Sequence, residues 1–229
     1  MYSVFLLIAL SITLIQYAQP TLLCFVCLFV ACGSAYPALH LHLCKTPTYR
    51  TLSFEKKMYV LSNTIKGTCL GACTPMALWL LYECFHDRWD TRAILVMGHM
   101  YAVLDTVSLF MVERMQTSTI VHHVAVVLVH VQNCQQDFTV DSYARCSVVY
   151  AIFSCFAFQV NLALARRYEN PSFQSAYVVY VLTCMMNWSW QVYYAGTHPP
   201  TVFGVLWWVF MCAIVYDDIH LLRWLHKAL

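Results

Sequence analysis

The first 43 residues contain no Asp, Glu, Lys or Arg, and this uncharged stretch restricts the fold more than any other feature of the chain. As one α-helix it would be roughly 64 Å long, about twice the hydrocarbon thickness of a bilayer. Pro20 divides it into segments 2–18 and 21–43. The N-terminal sequence lacks the basic residues of a cleaved signal peptide, so we interpret it as a retained anchor helix. Whether residues 2–18 cross the membrane stays open.

The rest of the chain is similarly apolar. Of all residues, 61% are hydrophobic and only 10% are charged, against about 25% charged in a soluble domain. Too few polar residues are present to cover a water-facing surface. Six further apolar segments are separated by short loops: 58–82, 93–112, 118–132, 142–165, 173–195 and 201–222. We therefore predict an all-α membrane protein with seven or eight spans, in which consecutive helices are antiparallel neighbours.

The charged residues indicate an orientation. Nine of the thirteen Lys and Arg residues lie in loop 44–57, in the alternate loops on that side and in the C-terminal tail, and the opposite loops hold three. The positive-inside rule then predicts a cytosolic loop 44–57 and a cytosolic C-terminus. No basic run suits nucleic acid, so we expect no nucleic-acid partner.

The twelve cysteines form no repeated spacing. Cys24 and Cys27 make a CxxC pair, but it lies in an apolar segment without a second pair. We interpret the cysteines as small apolar side chains, and we expect neither a metal site nor a disulfide scaffold.

Ionisable and amide side chains inside the spans are the strongest functional signal. Each ionisable group at the centre of a membrane costs about 2.5 kcal/mol or more, and such groups normally face the interior of a bundle. On five different helices they should lie roughly 6–12 Å inside the same membrane face. The set comprises Asn63, Lys66, Asp105, His122, His123, Asn161, Asp217 and Asp218. We predict a polar pocket with apolar walls that opens toward the cytosolic leaflet and binds an amphiphilic membrane lipid.

The histidines have structural alternatives. His122 and His123 are about 100° apart on a helix, so we expect only one of them to face inward and the other to bond a neighbouring helix. His99 and His130 lie closer to the other membrane face, and we interpret both as structural.

The charged residues have alternatives too. Lys66 and Asp105 form either a structural ion pair between adjacent helices or part of a site, and both readings stay open. Asp217 and Asp218 lie near the predicted interface, where we favour hydrated or snorkelling carboxylates.

Four stretches resemble the TLC-domain family of ceramide synthases and related membrane proteins. They are EKKMYVLSNTIKGTCLG at 55–71, YAVLD at 101–105, TSTIVHHVAVVLVH at 117–130 and DDIHLLRWL at 217–225. The resemblance covers about residues 50–225 and leaves residues 1–43 as an N-terminal transmembrane region. It implies a six-helix TLC-type transmembrane barrel plus one or two N-terminal helices, in the endoplasmic reticulum or another endomembrane.

The resemblance also implies a chemistry. His122 and His123 are then the candidate base or nucleophile in acyl transfer from acyl-CoA to a sphingoid amine, and Asp105 orients the ring. Acyl-CoA is the co-substrate, and no bound cofactor or metal is implied. The other polar groups of the pocket are candidate substrate-binding residues: Asn63, Lys66, Asn161, Asp217 and Asp218.

One departure from the synthases keeps a second hypothesis open. The helix after the histidine pair has no acidic residue, and Gln159 and Asn161 stand where carboxylates are expected. The chain thus resembles the shorter TLC members, with roles in lipid balance, sensing or trafficking. A non-catalytic lipid binder or regulator is the alternative to an acyltransferase. A retinal protein is disfavoured because residues 201–222 contain no Lys.

Overall fold

The computed structural model describes residues 22–169, 171–199 and 201–229, and these residues form helices and loops without a β-strand. The predicted segment 2–18 lies outside the described residues. A 3₁₀ turn at Arg167–Glu169 follows the seventh helix. The helices are α1 Leu22–Leu43, α2 Pro47–Arg50, α3 Phe54–Phe85, α4 Thr91–Met111, α5 Thr117–Asn133, α6 Ala144–Phe156, α7 Phe158–Ala165, α8 Gln174–Thr197 and α9 Val202–Lys227.

Four of the described helices are long and apolar enough to cross a membrane: α1, α3, α4 and α9. The bent pair α6 and α7 makes a fifth if it counts as one span. Helix α5 has only 17 residues, and α8 is rich in Tyr, Trp and amide side chains. The described residues therefore form an all-helical membrane protein with four or five candidate spans, fewer than the seven that we predicted within this part of the chain.

Large apolar side chains cover the outside of the bundle. Leu41, Phe85, Phe110 and Val202 are each at least 70% exposed, and many similar residues are half exposed. Such a surface suits lipid, whereas a soluble protein rarely exposes contiguous apolar patches larger than a few hundred Å².

The predicted segment 142–165 is broken. Helices α6 and α7 meet at Ala157 with a bend of 46°, although no Gly or Pro is present there to predict it. The bend accompanies a close approach of α7 to α3. A Cβ atom on Gly67 would lie 2.8 Å from the side chain of Leu162, and one on Gly71 would lie 3.1 Å from that of Phe158. These two glycines, four residues apart, form a GxxxG groove for the neighbouring helix.

The helices pack in a continuous order around an internal cavity. Helix α3 contacts α4, α4 contacts α5, α5 contacts α9, α9 contacts α8, and α8 contacts the α6–α7 pair, which returns to α3. Helix α1 packs outside on α3 and α4.

The expectation that all consecutive helices are close neighbours is wrong for α5 and α6. Nearly every side chain of α6 is buried, because this helix packs mainly on α3 and α8.

The basic residues share one end of the bundle. Arg114, between α4 and α5, lies 3.0 Å from Glu55 at the start of α3. Lys56 lies 5.4 Å from the ring of Tyr168 after α7, and His226 near the C-terminus packs against Tyr177 on α8. The loops and helix ends that carry the nine Lys and Arg residues therefore meet at this end.

Arg145 connects two loops at the opposite end of the helix bundle. Its guanidinium lies 4.5 Å from the centre of the Trp89 ring and donates to the carboxylates of Asp87 and Asp141 and to the carbonyls of Phe138 and Thr139. One basic side chain thus links the α3–α4 and α5–α6 loops.

Asp141 extends this network to α8. Tyr194 donates a hydrogen bond to Asp141 at 2.5 Å, and His198 Nε2 lies 3.0 Å from the second carboxylate oxygen. The hydrogen bond from Tyr194 lowers the pKa of Asp141, with His198 and Arg145 adding to the effect and partial burial opposing it.

We expect Gly67→Ala to destabilise the protein by about 1–3 kcal/mol, because the new methyl group would also lie 3.0 Å from the backbone nitrogen of Leu162. Thermal unfolding in detergent measures the effect. Gly33→Ala is the matched control, since no atom lies within 4 Å of its added Cβ. Equal melting temperatures for the two variants would contradict a close α3–α7 contact.

We expect Asp141→Asn to lower the melting temperature by a few degrees at neutral pH. Because the folded pKa of Asp141 is lowered, the stability that the carboxylate contributes is present above its ordinary value of 3.8. It is lost as the pH falls through the folded pKa. The wild-type and variant melting temperatures should therefore converge in acid, and a constant difference at every pH would contradict the assignment.

Candidate functional site

A cavity of about 350 Å³ lies inside the ring of helices. Ligand sites range from about 300 to 1,000 Å³, so this volume accommodates one small group. Seven of the eight predicted polar residues line it: Asn63, Lys66, His122, His123, Asn161, Asp217 and Asp218. The eighth, Asp105, is fully buried beside them and contacts two of the lining residues.

Asp105 lies at the centre of the polar cluster. Lys66 on α3 donates a hydrogen bond to its Oδ1 atom, and the Nδ1 atom of His123 on α5 lies 2.9 Å from the same oxygen. The His123 contact is close but not aligned as a hydrogen bond, and the other carboxylate oxygen has no partner among the described residues. Of the two readings of Lys66 and Asp105, the structure shows the interhelical ion pair, and Lys66 also lines the cavity.

His122 extends the polar cluster to α6 and α9. Its Nδ1 atom lies 3.4 Å from Asp217 on α9, and its Nε2 atom lies 3.4 Å from the hydroxyl of Tyr150 on α6. Both His122 and His123 are buried, at 8% and 6% exposure, and both line the cavity. The expectation that only one of them faces inward is therefore wrong. Helix α5 packs between α4 and α9, so two directions about 100° apart both point into the bundle.

Asp217 and Asp218 belong to the same interior. Asp218 is 5% exposed and accepts hydrogen bonds from the Tyr180 hydroxyl at 2.7 Å and from the Trp188 indole at 3.4 Å. Asp217 accepts from Thr119 at 3.3 Å. The interpretation as hydrated interface residues is wrong for Asp218. Helix α9 continues to Lys227, five residues beyond the predicted end, so the carboxylates lie further from the end of the helix than the sequence suggested.

The amides Asn63 on α3 and Asn161 on α7 both line the cavity. Asn63 donates to the carbonyl of Tyr59 in its own helix at 2.9 Å. Apolar side chains complete the walls: Leu70, Val112, Phe153, Val160, Leu164 and Leu221. Every helix of the ring also contributes polar side chains to the lining, so a ligand would meet polar groups and hydrocarbon together.

Sequence reasoning missed Arg167, which it counted only as a loop charge. Its guanidinium stacks 3.9 Å from the centre of the Tyr59 ring and 4.7 Å from that of Tyr168, and it lines the cavity at the basic end of the bundle. Its buried Nε atom has no hydrogen-bond partner among the described residues. Aromatic rings hold this guanidinium in place, and its Nε–H group can donate a further hydrogen bond. Such a group suits an anionic head group. The only sequence signal was the pair Arg166 and Arg167 at the end of an apolar segment.

The cluster also has a spacing that metal ligands adopt. One atom each from Asp105, His122 and His123 lie within 4.8 Å of one another. Lys66, however, already provides the positive charge that Asp105 pairs with, and a metal ion would have to lie beside that ammonium group. We therefore assign Lys66 as the partner of Asp105. The sequence-based prediction that this site uses no metal stays a prediction.

We expect Lys66→Met to destabilise the protein by about 3–5 kcal/mol, because it leaves Asp105 fully buried without its cation. The double variant Lys66→Met/Asp105→Leu should recover much of this loss, since it removes both charges. Thermal unfolding of the wild type, both single variants and the double variant gives the coupling energy. Strictly additive effects would show that the two residues do not interact.

The arrangement supports proton transfer or nucleophilic attack inside the helix bundle. His123 lines the cavity while Asp105 lies against its Nδ1 atom, and His122 is held likewise against Asp217. Imidazole oriented by a carboxylate is the usual form of a general base. No protein-family model, no curated protein and no solved structure matches the chain.

Proposed function

We propose that the protein is a TLC-type lipid acyltransferase, in which the cavity binds an amphiphile and the histidine pair transfers an acyl chain from acyl-CoA to a lipid amine. The observation that carries the proposal is the contact of His123 with Asp105 at the edge of a cavity lined by both polar and apolar side chains. The protein then resides in the endoplasmic reticulum or another endomembrane, with its C-terminus in the cytosol.

The helix packing supports the fold that this proposal requires. Under this proposal, the closed order of α3, α4, α5, α9, α8 and the α6–α7 pair would form the six-helix barrel around the cavity. Helix α1 then belongs to the additional N-terminal region. The shared location of the basic loops supports a cytosolic assignment for that end under the positive-inside rule.

The shape and polarity of the cavity favour an amphiphile. Its volume holds a head group and the beginning of a chain, so the remaining alkyl chain would leave between helices toward lipid. Arg167 and Arg114 line the cavity at the basic end, where the phosphates of acyl-CoA would arrive from the cytosol. Lys66 and the carboxylates lie deeper in the cluster.

In the proposed reaction, the Nε2 atom of His123 accepts a proton from the lipid amine while the amine nitrogen attacks the thioester carbonyl. Asp105 stabilises the resulting imidazolium from the Nδ1 side. A carbon–nitrogen bond forms, the carbon–sulfur bond breaks, and the coenzyme A thiolate leaves and takes the proton. The products are a lipid amide and free coenzyme A.

A second candidate is a non-catalytic lipid binder or regulator. The observation that favours it is the hydrogen bond from Lys66 to Asp105, which competes with His123 for the same carboxylate oxygen. The α6–α7 segment also contributes amides in place of carboxylates. Under this hypothesis the polar cluster recognises a head group and performs no chemistry.

We expect purified protein to form a lipid amide from long-chain acyl-CoA and a sphingoid base, as measured by mass spectrometry. His123→Ala should reduce the rate by about 10²–10⁴-fold, the usual contribution of a general base, and His122→Ala should reduce it less. His86→Ala is the control, because His86 is exposed at the opposite end of α3.

Two outcomes distinguish the candidates. An absence of product, or a rate that neither histidine substitution changes, would contradict the acyltransferase. Lipid that co-purifies with the wild type and with both histidine variants alike would then support the non-catalytic binder. Loss of that lipid in Arg167→Met would assign head-group recognition to the cavity mouth.

A further inference from the structure

A second cluster of ligating side chains lies away from the cavity. One ring nitrogen each from His99 and His130 and the sulfur of Cys134 lie within 4.8 Å of one another. His99 is on α4, His130 is in the last turn of α5, and Cys134 follows that helix directly. His130 is seven residues beyond His123, roughly 10 Å along α5. We propose that these three side chains bind a divalent transition metal of the zinc class.

The spacing along α5 suits a tetrahedral metal. His130 and Cys134 are four residues apart and therefore share one helix face. The His130 Nε2 atom and the Cys134 sulfur are 3.7 Å apart. In a tetrahedral zinc site with Zn–N of about 2.0 Å and Zn–S of about 2.3 Å, such atoms are separated by about 3.5 Å. The pair needs only a small adjustment to hold the ion.

The tautomer of His99 is the one that metal ligation uses. Its Nδ1 atom lies 2.6 Å from the carbonyl oxygen of Leu95. Because a carbonyl only accepts, the Nδ1 atom donates this hydrogen bond. Metal-binding histidines typically donate their second nitrogen in this way to a backbone carbonyl.

Neighbouring residues hold the two rings together. A Cβ atom on Gly98 would lie 3.0 Å from the His130 ring, so the glycine leaves room for that ring. The His99 and His130 rings are 4.7 Å apart, and the ring of Phe25 on α1 packs about 6 Å from each. Both histidines are buried, whereas Cys134 is exposed. These three ligands from the described residues fill three of the four positions of a tetrahedral ion.

The ligand types define the metal class. Two imidazoles and one thiolate suit zinc and related transition metals, whereas magnesium and calcium prefer oxygen ligands. When Cys134 is a thiol, binding forms a metal–sulfur bond and releases its proton to solvent, so affinity should increase with pH. The site needs no part of the His123 and Asp105 cluster, and its test is independent of acyl transfer.

Cobalt(II) titration of the full chain in detergent, under reducing conditions, tests the proposal. We expect one equivalent to bind with the near-ultraviolet charge-transfer band of a cobalt–thiolate bond. Cys134→Ser should abolish the band, and His130→Asn should weaken binding at least tenfold. Cys212→Ser, which removes another exposed thiol, should leave both the band and the stoichiometry unchanged.

Zinc should displace the cobalt and remove the band, which establishes the metal class. A band that persists in Cys134→Ser, or no stoichiometric binding by the wild type, would overturn the proposal. Helical circular dichroism and the melting temperature of each variant, measured without metal, separate ligand loss from unfolding. His122→Ala should bind cobalt like the wild type, and loss of binding there would place the ion in the other cluster.

Discussion

The buried ion pair of Lys66 and Asp105 is the interaction on which the interior of this protein depends. Either charge alone inside an apolar bundle would cost several kcal/mol, whereas the pair compensates much of that cost. The pair joins α3 to α4, and the contact of Asp105 with His123 brings α5 to the same point. The cavity lies beside this point, and Lys66 and His123 line it.

Close packing and hydrogen bonds between helices also stabilise the bundle. Between helices surrounded by lipid, close packing and hydrogen bonds replace the hydrophobic driving force that assembles soluble proteins. Gly67 and Gly71 allow α7 to approach α3, and the resulting bend at Ala157 places Asn161 and the end of α7 at the cavity. On the other side, Gln191 on α8 donates to the carbonyl of Cys146 and accepts from the indole of Trp207, which holds α6, α8 and α9 together.

The charged residues have different roles at the two ends of the bundle. At the basic end Arg167 keeps a buried donor at the cavity mouth, so this end is suited to receive an anionic group. At the opposite end Arg145 and Asp141 bond each other and neighbouring loops, so these charges already have partners within the protein. Under the proposed functions, a lipid and its acyl donor enter from the basic end, and the metal cluster of His99, His130 and Cys134 lies on the opposite side of the polar cavity.

The sequence by itself determined the helical class, the approximate bounds of most helices and most of the polar residues that line the cavity. Spacing along a helix places a residue at a known depth, and ionisable groups avoid lipid. Only the tertiary structure decided which directions around each helix are interior. The inward orientation of both His122 and His123, the burial of Asp218 and the position of Arg167 depend on which helices are neighbours. Helices that are apolar on every side carry no periodic signal of their neighbours, so these contacts arise from packing alone.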